Sequence, residues 1–160
     1  MSWKSSRSFG MSLFFVLLLA GVTPPLVAQE PAPSELPAAV VYKDPNCGCC
    51  TRWADHIAAA GFKVTLRDVS NVGEIKRELG IPAGMGSCHT AVIGDYVIEG
   101  HVPVKVIQRL LSERPDVRGL TVPGMPIGSP GMEGPRPRAY EVYTFGGALG
   151  ETVYERVPAP

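Results

Sequence analysis

The stretch Cys47-Gly48-Cys49-Cys50 constrains this chain more than any other. Three of its four cysteines fall within four residues, and the fourth, Cys88, is followed directly by His89. An apolar run, Ala39-Val40-Val41-Tyr42, leads into the cluster, and a segment of helical character, Thr51-Arg52-Trp53-Ala54-Asp55-His56-Ile57, leads out of it. Packing alone does not call for such density, because one or two buried cysteines serve a core equally well. The cluster therefore reads as a soft-metal site, a redox site, or both, placed where a strand hands over to a helix.

The flanking elements predict the surrounding fold. Ala38 to Lys43 reads as a buried strand, and Asp44-Pro45-Asn46 as a turn with capping chemistry. A helix follows from about Cys49 to Ala60, stopped at Gly61. Phe62 to Val69 alternates like a half-buried strand, and Asn71 to Leu79, ending at Gly80, reads as a second helix. After the Gly/Pro loop Ile81 to Ser87 come two strands, His89 to Ile93 and Tyr96 to Glu99, joined by the tight turn Gly94-Asp95. Pro103 to Ser112 reads as a third helix, with Val104, Val106, Ile107, Leu110 and Leu111 on one side. The order β-α-β-α-β-β-α predicts an α/β fold, a thioredoxin-like mixed sheet with flanking helices. The cluster then stands at the first strand-to-helix junction, where thioredoxins carry Cys-x-x-Cys. Gly119 to Arg138 is too rich in Gly and Pro for a long helix or strand, and Tyr140 to Phe145 with Glu151 to Val157 reads as a C-terminal β-hairpin.

Residues 1–28 have the order of a secretory signal peptide. Lys4 and Arg7 start it, Met11 to Val22 is apolar but short for a bilayer span, and Leu26-Val27-Ala28 offers a cleavage site. An uncleaved N-terminal anchor is the alternative. Residues 29–37 read as a disordered Pro/Ala linker, and residues 38–157 as one metal-binding domain that includes the C-terminal extension. Without Lys4 and Arg7, thirteen of the fifteen basic residues remain against fifteen acidic ones, a net charge of about −2. That balance argues against nucleic-acid partners and against membrane contact beyond the signal peptide. Export also means an oxidising compartment, where thiols persist only if a metal or a reductant holds them.

The chemistry of the cluster can be read in several ways. Cys47 and Cys50 have Cys-x-x-Cys spacing, and Cys47 and Cys49 form a Cys-x-Cys pair. A helix N-terminus favours thiolate, which is both nucleophile and soft-metal ligand. A plain stabilising disulfide between Cys47 and Cys50 is a further alternative, although so short a loop constrains the unfolded chain little. Thioredoxins place a cis-proline before the third strand, facing the active cysteines; here His89 precedes Thr90, which leaves that side open to a metal. A zinc site of Cys₄ or Cys₃His type fits less well, because adjacent Cys49 and Cys50 do not converge easily on one tetrahedral ion. Closely packed thiolates suit Cu(I), singly or as a small cluster. Met85, in the loop before Cys88, and Met125 and Met132, in the Gly/Pro segment, offer soft thioethers off any helical face, or else fill gaps. His56 reads as a solvent-facing helix residue and His101 as a turn residue, and neither is taken as a ligand. Trp53 is expected to pack against the site or the core. Lys43 and Asp44 flank the cluster, either tuning its charge or simply solvated.

Four segments together resemble the CopG-like family: Val41 to Cys50, Gly84 to Thr90, Gly100-His101-Val102-Pro103 and Pro123 to Glu133. These are exported bacterial proteins of thioredoxin-like fold found with copper-resistance systems, long described as a domain of unknown function. The resemblance covers about residues 38–157. It implies copper binding by Cys47, Cys49, Cys50 and Cys88 as a multinuclear Cu(I)–thiolate cluster, with His89 or a methionine (Met85, Met125 or Met132) nearby. It also implies a periplasmic role in copper resistance, with interconversion of Cu(I) and Cu(II), and copper ions and other periplasmic copper-resistance proteins as partners. The alternative is a thiol-disulfide oxidoreductase working through Cys47 and Cys50.

Overall fold

The structure is a computed structural model, and residues 35–159 are described. The expected signal peptide and all but the last three residues of the expected linker lie outside them. Ten elements follow in order: β1 (Ala39–Lys43), α1 (Gly48–Ala59), β2 (Val64–Asp68), α2 (Val72–Glu78), β3 (His89–Ile93), β4 (Tyr96–Glu99), α3 (Val104–Glu113), β5 (Gly119–Thr121), β6 (Tyr140–Phe145) and β7 (Val153–Val157). The strands form a single seven-stranded sheet in the order β2-β1-β3-β4-β5-β6-β7. β1 pairs parallel to β2 and β4 parallel to β5; the other four pairings are antiparallel. This is the mixed α/β arrangement of the thioredoxin-like class. The C-terminal hairpin does not stand apart, because β5 joins it edge-on to the central sheet.

The two faces of the sheet carry different chemistry, and the register decides which residue faces where. Directly paired residues of antiparallel strands share a face, and successive residues alternate. Ala39 pairs with Ile93 and Val41 with Ala91, so these four face one way. Trp53, Ala54 and Ile57 of α1 and Val106, Ile107 and Leu110 of α3 bury their apolar stripes in that same core. The next pair along the same face is Lys43 with His89. The core face therefore runs out into the functional end of the molecule. On the opposite face Thr90 pairs with Glu99, where Lys76 of α2 reaches both.

Differences from the expected elements are small and local. β2 starts at Val64 rather than Phe62, and its side chains are half-buried or exposed along its length, because it is an edge strand. Helix α2 has no buried residue and rests on its Asn71 cap, whose side chain accepts the Glu74 N–H. Leu36, at the end of the expected linker, packs against the core. β5 lies inside the segment read as free of long elements; it has three residues, and Phe145 of β6 covers its Gly119.

Candidate metal centre

The centre is built on the turn that starts α1. Asp44 Oδ1 accepts the Asn46 N–H at 2.8 Å and the Asp44 carbonyl accepts the Cys47 N–H at 3.0 Å, which closes the turn. Lys43 braces it from below. It is buried, not solvated: its Nζ donates to the carbonyls of Asp44 and Pro45 and lies 2.9 Å from Asp68. Cys47 is the N-cap of α1 and its side chain makes no capping bond. Cys49 and Cys50 then lie in the first turn, half-buried and fully buried.

Two features set the state of the sulfurs. Cys47 and Cys50 are joined as a disulfide, while Cys49 and Cys88 are free thiols. Cys49 Sγ lies 3.5 Å from Cys47 Sγ and 3.8 Å from Cys88 Sγ, so it sits between the disulfide and the second loop. Two thiolates that share one ion at about 2.3 Å in near-tetrahedral geometry lie about 3.7 Å apart. The Cys49–Cys88 spacing matches that without movement.

Cys88 faces two imidazoles as well. His101 Nε2 is 3.1 Å from Cys88 Sγ, and His89 Nδ1 is 3.4 Å away. His101 Nδ1 lies 2.8 Å from the Pro130 carbonyl. A carbonyl only accepts, so Nδ1 carries the proton and the Nε2 lone pair points at Cys88. This is the outer-shell device that orients metal-binding histidines. His89 is fully buried, its ring 4.4 Å from that of Trp53 and 5.0 Å from that of His101. Its Nε2 has no hydrogen-bond partner among the described residues. Trp53 is itself fully buried and donates Nε1–H to the Val102 carbonyl at 2.9 Å, so it packs against site and core together.

Burial governs the protonation of these groups. It pushes the Cys88 thiol up to about 12, with help from neighbouring Cys49. It holds His89 well below the ordinary imidazole value, with the charges of His101 and Lys76 adding to the effect, and lowers His101 too. At neutral pH the metal-free centre thus has neutral imidazoles with available lone pairs and a protonated Cys88. A soft ion that binds there displaces the Cys88 proton.

His101 is the residue that reading the sequence missed. Taken locally it is a turn residue, yet a signal was present. A two-residue hairpin turn that pairs Ile93 with Tyr96 pairs Thr90 with Glu99; continued outward by two steps, the same register sets His101 opposite Cys88. His56 is half-exposed and its Nε2 lies within hydrogen-bond distance of Glu133 Oε1, at 2.8 Å. Met85 is half-buried and its carbonyl accepts the Thr121 hydroxyl; Met125 is 51% exposed; Met132 is half-buried and follows Gly131. Gly131 lies against the first turns of α1, where its carbonyl accepts from Arg52 Nε at 3.1 Å and its N–H donates to Glu133. The Gly/Pro segment is thereby docked beside the centre and delivers the Pro130 carbonyl to His101. No peptide bond among the described residues is cis.

The sulfur and nitrogen donors form two groups of mutually close atoms, one of Cys47, Cys49, Cys50 and Cys88, the other of Cys88, His89 and His101. Cys88 is common to both. Soft sulfurs with neutral imidazoles suit Cu(I) and Zn(II) and exclude the hard, oxygen-seeking cations.

Fold and site together define a thioredoxin-like protein whose first strand-to-helix junction has been turned into a centre able to hold a metal. Comparison with known proteins makes the assignment narrower. The family described as a protein of unknown function, DUF411, matches residues 85–132. A solved structure described as copper resistance protein CopG, form 2, is 47% identical over 77% of this chain and 98% of its own, with a TM-score of 0.71. Form 1 is 46% identical over 78% and 99%, with a TM-score of 0.70. A comparison with curated proteins returned no match. The chain belongs to the CopG-like family.

Proposed function

We propose that this chain is a periplasmic copper-binding protein of copper resistance, holding Cu(I) through Cys47, Cys49, Cys50 and Cys88 together with His89 and His101. The observation that carries this reading is the convergence on Cys88 of one free thiol, at 3.8 Å, and two imidazole nitrogens, at 3.1 and 3.4 Å. Sulfur and imidazole donors this close favour a thiophilic ion, and the names of the relatives favour copper over zinc. With Cys47 and Cys50 reduced, four thiolates share the space, enough to bridge several Cu(I) ions. Met85, Met125 and Met132 supply thioethers from the loops around it. Residues 1–28 act as the export signal.

Redox interconversion of copper is part of the proposal, and the cysteine pair supplies the electrons. Closing the Cys47–Cys50 disulfide releases two protons and two electrons, and the electrons reduce two Cu(II) to two Cu(I); Cys49, Cys88 and the two imidazoles remain to hold Cu(I) until a thiol reductant reopens the pair. The partners are copper ions and other copper-resistance proteins of the same compartment. Anaerobic titration of the fully reduced protein with Cu(I), followed by metal analysis, tests the reading. Binding is expected in the intact protein, with affinity at least about tenfold weaker in Cys49→Ser or Cys88→Ser. No binding, or binding indifferent to both substitutions, overturns it.

A second reading has one observation in its favour. The Cys47–Cys50 disulfide stands at a helix start with Cys49 Sγ 3.5 Å from Cys47 Sγ, poised for thiol exchange. As a thiol-disulfide oxidoreductase the metal-free protein would turn over insulin disulfides in the presence of a thiol reductant; absence of turnover above the reductant alone rules this out.

A further inference from the structure

Behind the centre, on the other face of the sheet, lies an ion pair with a fully buried carboxylate that none of the chemistry above uses. Glu99 is 0% exposed and is paired with Lys76 Nζ. A fully buried carboxylate costs several kcal/mol in desolvation, and a buried pair is often no more stabilising than apolar residues of the same volume. Stability alone is therefore a poor reason for this pair. The bonds made by Glu99 offer a better one. Oε1 accepts the Ser87 N–H at 2.6 Å and Oε2 accepts the Thr90 hydroxyl at 2.6 Å. Lys76 Nζ donates to Thr90 Oγ1 at 3.1 Å as well. Ser87 and Thr90 are the residues on either side of Cys88-His89. One side chain thus grips both ends of the dipeptide whose sulfur and imidazole converge on the centre.

We propose that Glu99 is a positioning residue for copper: its carboxylate clamps the chain at Ser87 and Thr90, and so fixes the directions of Cys88 Sγ and His89 Nδ1. The inference rests on the copper-binding reading for its ligand, and on geometry alone for the clamp. Thr90 and Glu99 are register partners on the face opposite His89, so the carboxylate acts through the backbone and touches no metal donor. Glu99→Gln keeps the shape, but an amide nitrogen cannot accept a hydrogen bond. One of the donors from Ser87, Thr90 and Lys76 then loses its acceptor, and the Lys76 charge is left unmatched.

The test is Cu(I) affinity of the fully reduced full-length chain, measured by competition with bicinchoninate, for Glu99→Gln in the natural and in the Cys88→Ser/His89→Gln background. Loss of an outer-shell partner costs roughly 10–100-fold in metal affinity. We expect that loss in the natural background and a change of less than about twofold in Cys88→Ser/His89→Gln, because the clamp then has neither donor left to aim. A metal-free measurement runs beside it. In a chain with Cys88 as its only cysteine, Glu99→Gln should alkylate with iodoacetamide several-fold faster, as the half-buried thiol is released. Equal affinity losses in both backgrounds, or unchanged affinity with an unchanged alkylation rate, overturn the proposal. If near-ultraviolet circular dichroism shows that Glu99→Gln does not fold, Thr90→Val removes one arm of the clamp and carries the same two readouts. If the natural chain binds no Cu(I), the copper reading fails by itself, and the alkylation rate still decides the clamp.

Discussion

Cys88 is the sulfur on which the two donor groups meet, and His101 is its nearest nitrogen. The neighbouring imidazoles make opposite demands on the chain: His101 is held from outside by a carbonyl, whereas His89 is enclosed with one nitrogen unpartnered. His101→Ala is expected to weaken Cu(I) binding at least about tenfold, as loss of a ligand or of its orientation does. His56→Ala, which removes a half-exposed contact with Glu133, should leave binding near the natural value and cost about 0–1 kcal/mol of stability. Competition titration and urea unfolding of the two variants check both. A pH effect follows from the same imidazoles. Both have folded values below the ordinary one, so below about pH 6.5 the unfolded chain takes up protons that the folded chain refuses. Their stabilisation is full above pH 6.5 and is lost as pH falls through the folded values. Urea midpoints of the metal-free, disulfide-intact protein should drop between pH 6.5 and 5, and the drop should shrink in His89→Gln. A midpoint flat across that window contradicts the neutral burial of His89.

At the level of elements, the parts visible in the amino-acid order were those with local causes. Apolar runs marked β1 and β3, Gly61 and Gly80 marked helix ends, and the Gly94-Asp95 turn marked the β3–β4 hairpin. β5 escaped because three residues that begin at Gly119 and stop just short of Pro123 carry no periodicity; its partners, Val97 to Glu99 and Tyr143 to Phe145, exist only in the fold. The docking of the Gly/Pro segment escaped for the same reason, since Arg52, His56 and His101 anchor it from far away in sequence. Gly131 is the tight point of that docking. Its φ is +83°, and a Cβ there would lie 2.7 Å from the Cys49 carbonyl and 2.8 Å from the Trp53 N–H. Gly131→Ala should therefore cost about 3 kcal/mol or more and lower Cu(I) affinity as well, because the Pro130 carbonyl withdraws from His101. Gly84→Ala is the control. It shares the left-handed backbone, at φ +85°, but meets open space, so about 1 kcal/mol is expected with copper affinity unchanged. Thermal unfolding and competition titration of the pair distinguish a lost contact from backbone strain alone.

For the molecule as a whole, a single sheet from β2 to β7 means that the C-terminal strands are structural partners of the centre's scaffold. Phe145 is fully buried and lies over Gly119, where the parallel β4–β5 pair approaches closely. Phe145→Ala is expected to cost about 3–5 kcal/mol in a single cooperative transition seen by circular dichroism and Trp53 fluorescence alike. Two separate transitions would mean that the hairpin melts by itself. The position of the centre along the chain has a consequence for the order of events in synthesis. A chain that emerges from its N-terminus presents Cys47, Cys49 and Cys50 about forty residues before Cys88 and about eighty before Pro130. Closing a three-residue loop costs far less entropy than closing one of that length. Under oxidising conditions these three thiols can therefore pair among themselves first, as Cys47 and Cys50 do. The ion-holding geometry, which needs Cys88, His101 and Pro130 together, comes into being only once nearly the whole chain is out. An unfinished chain thus lacks the one sulfur that both donor groups share.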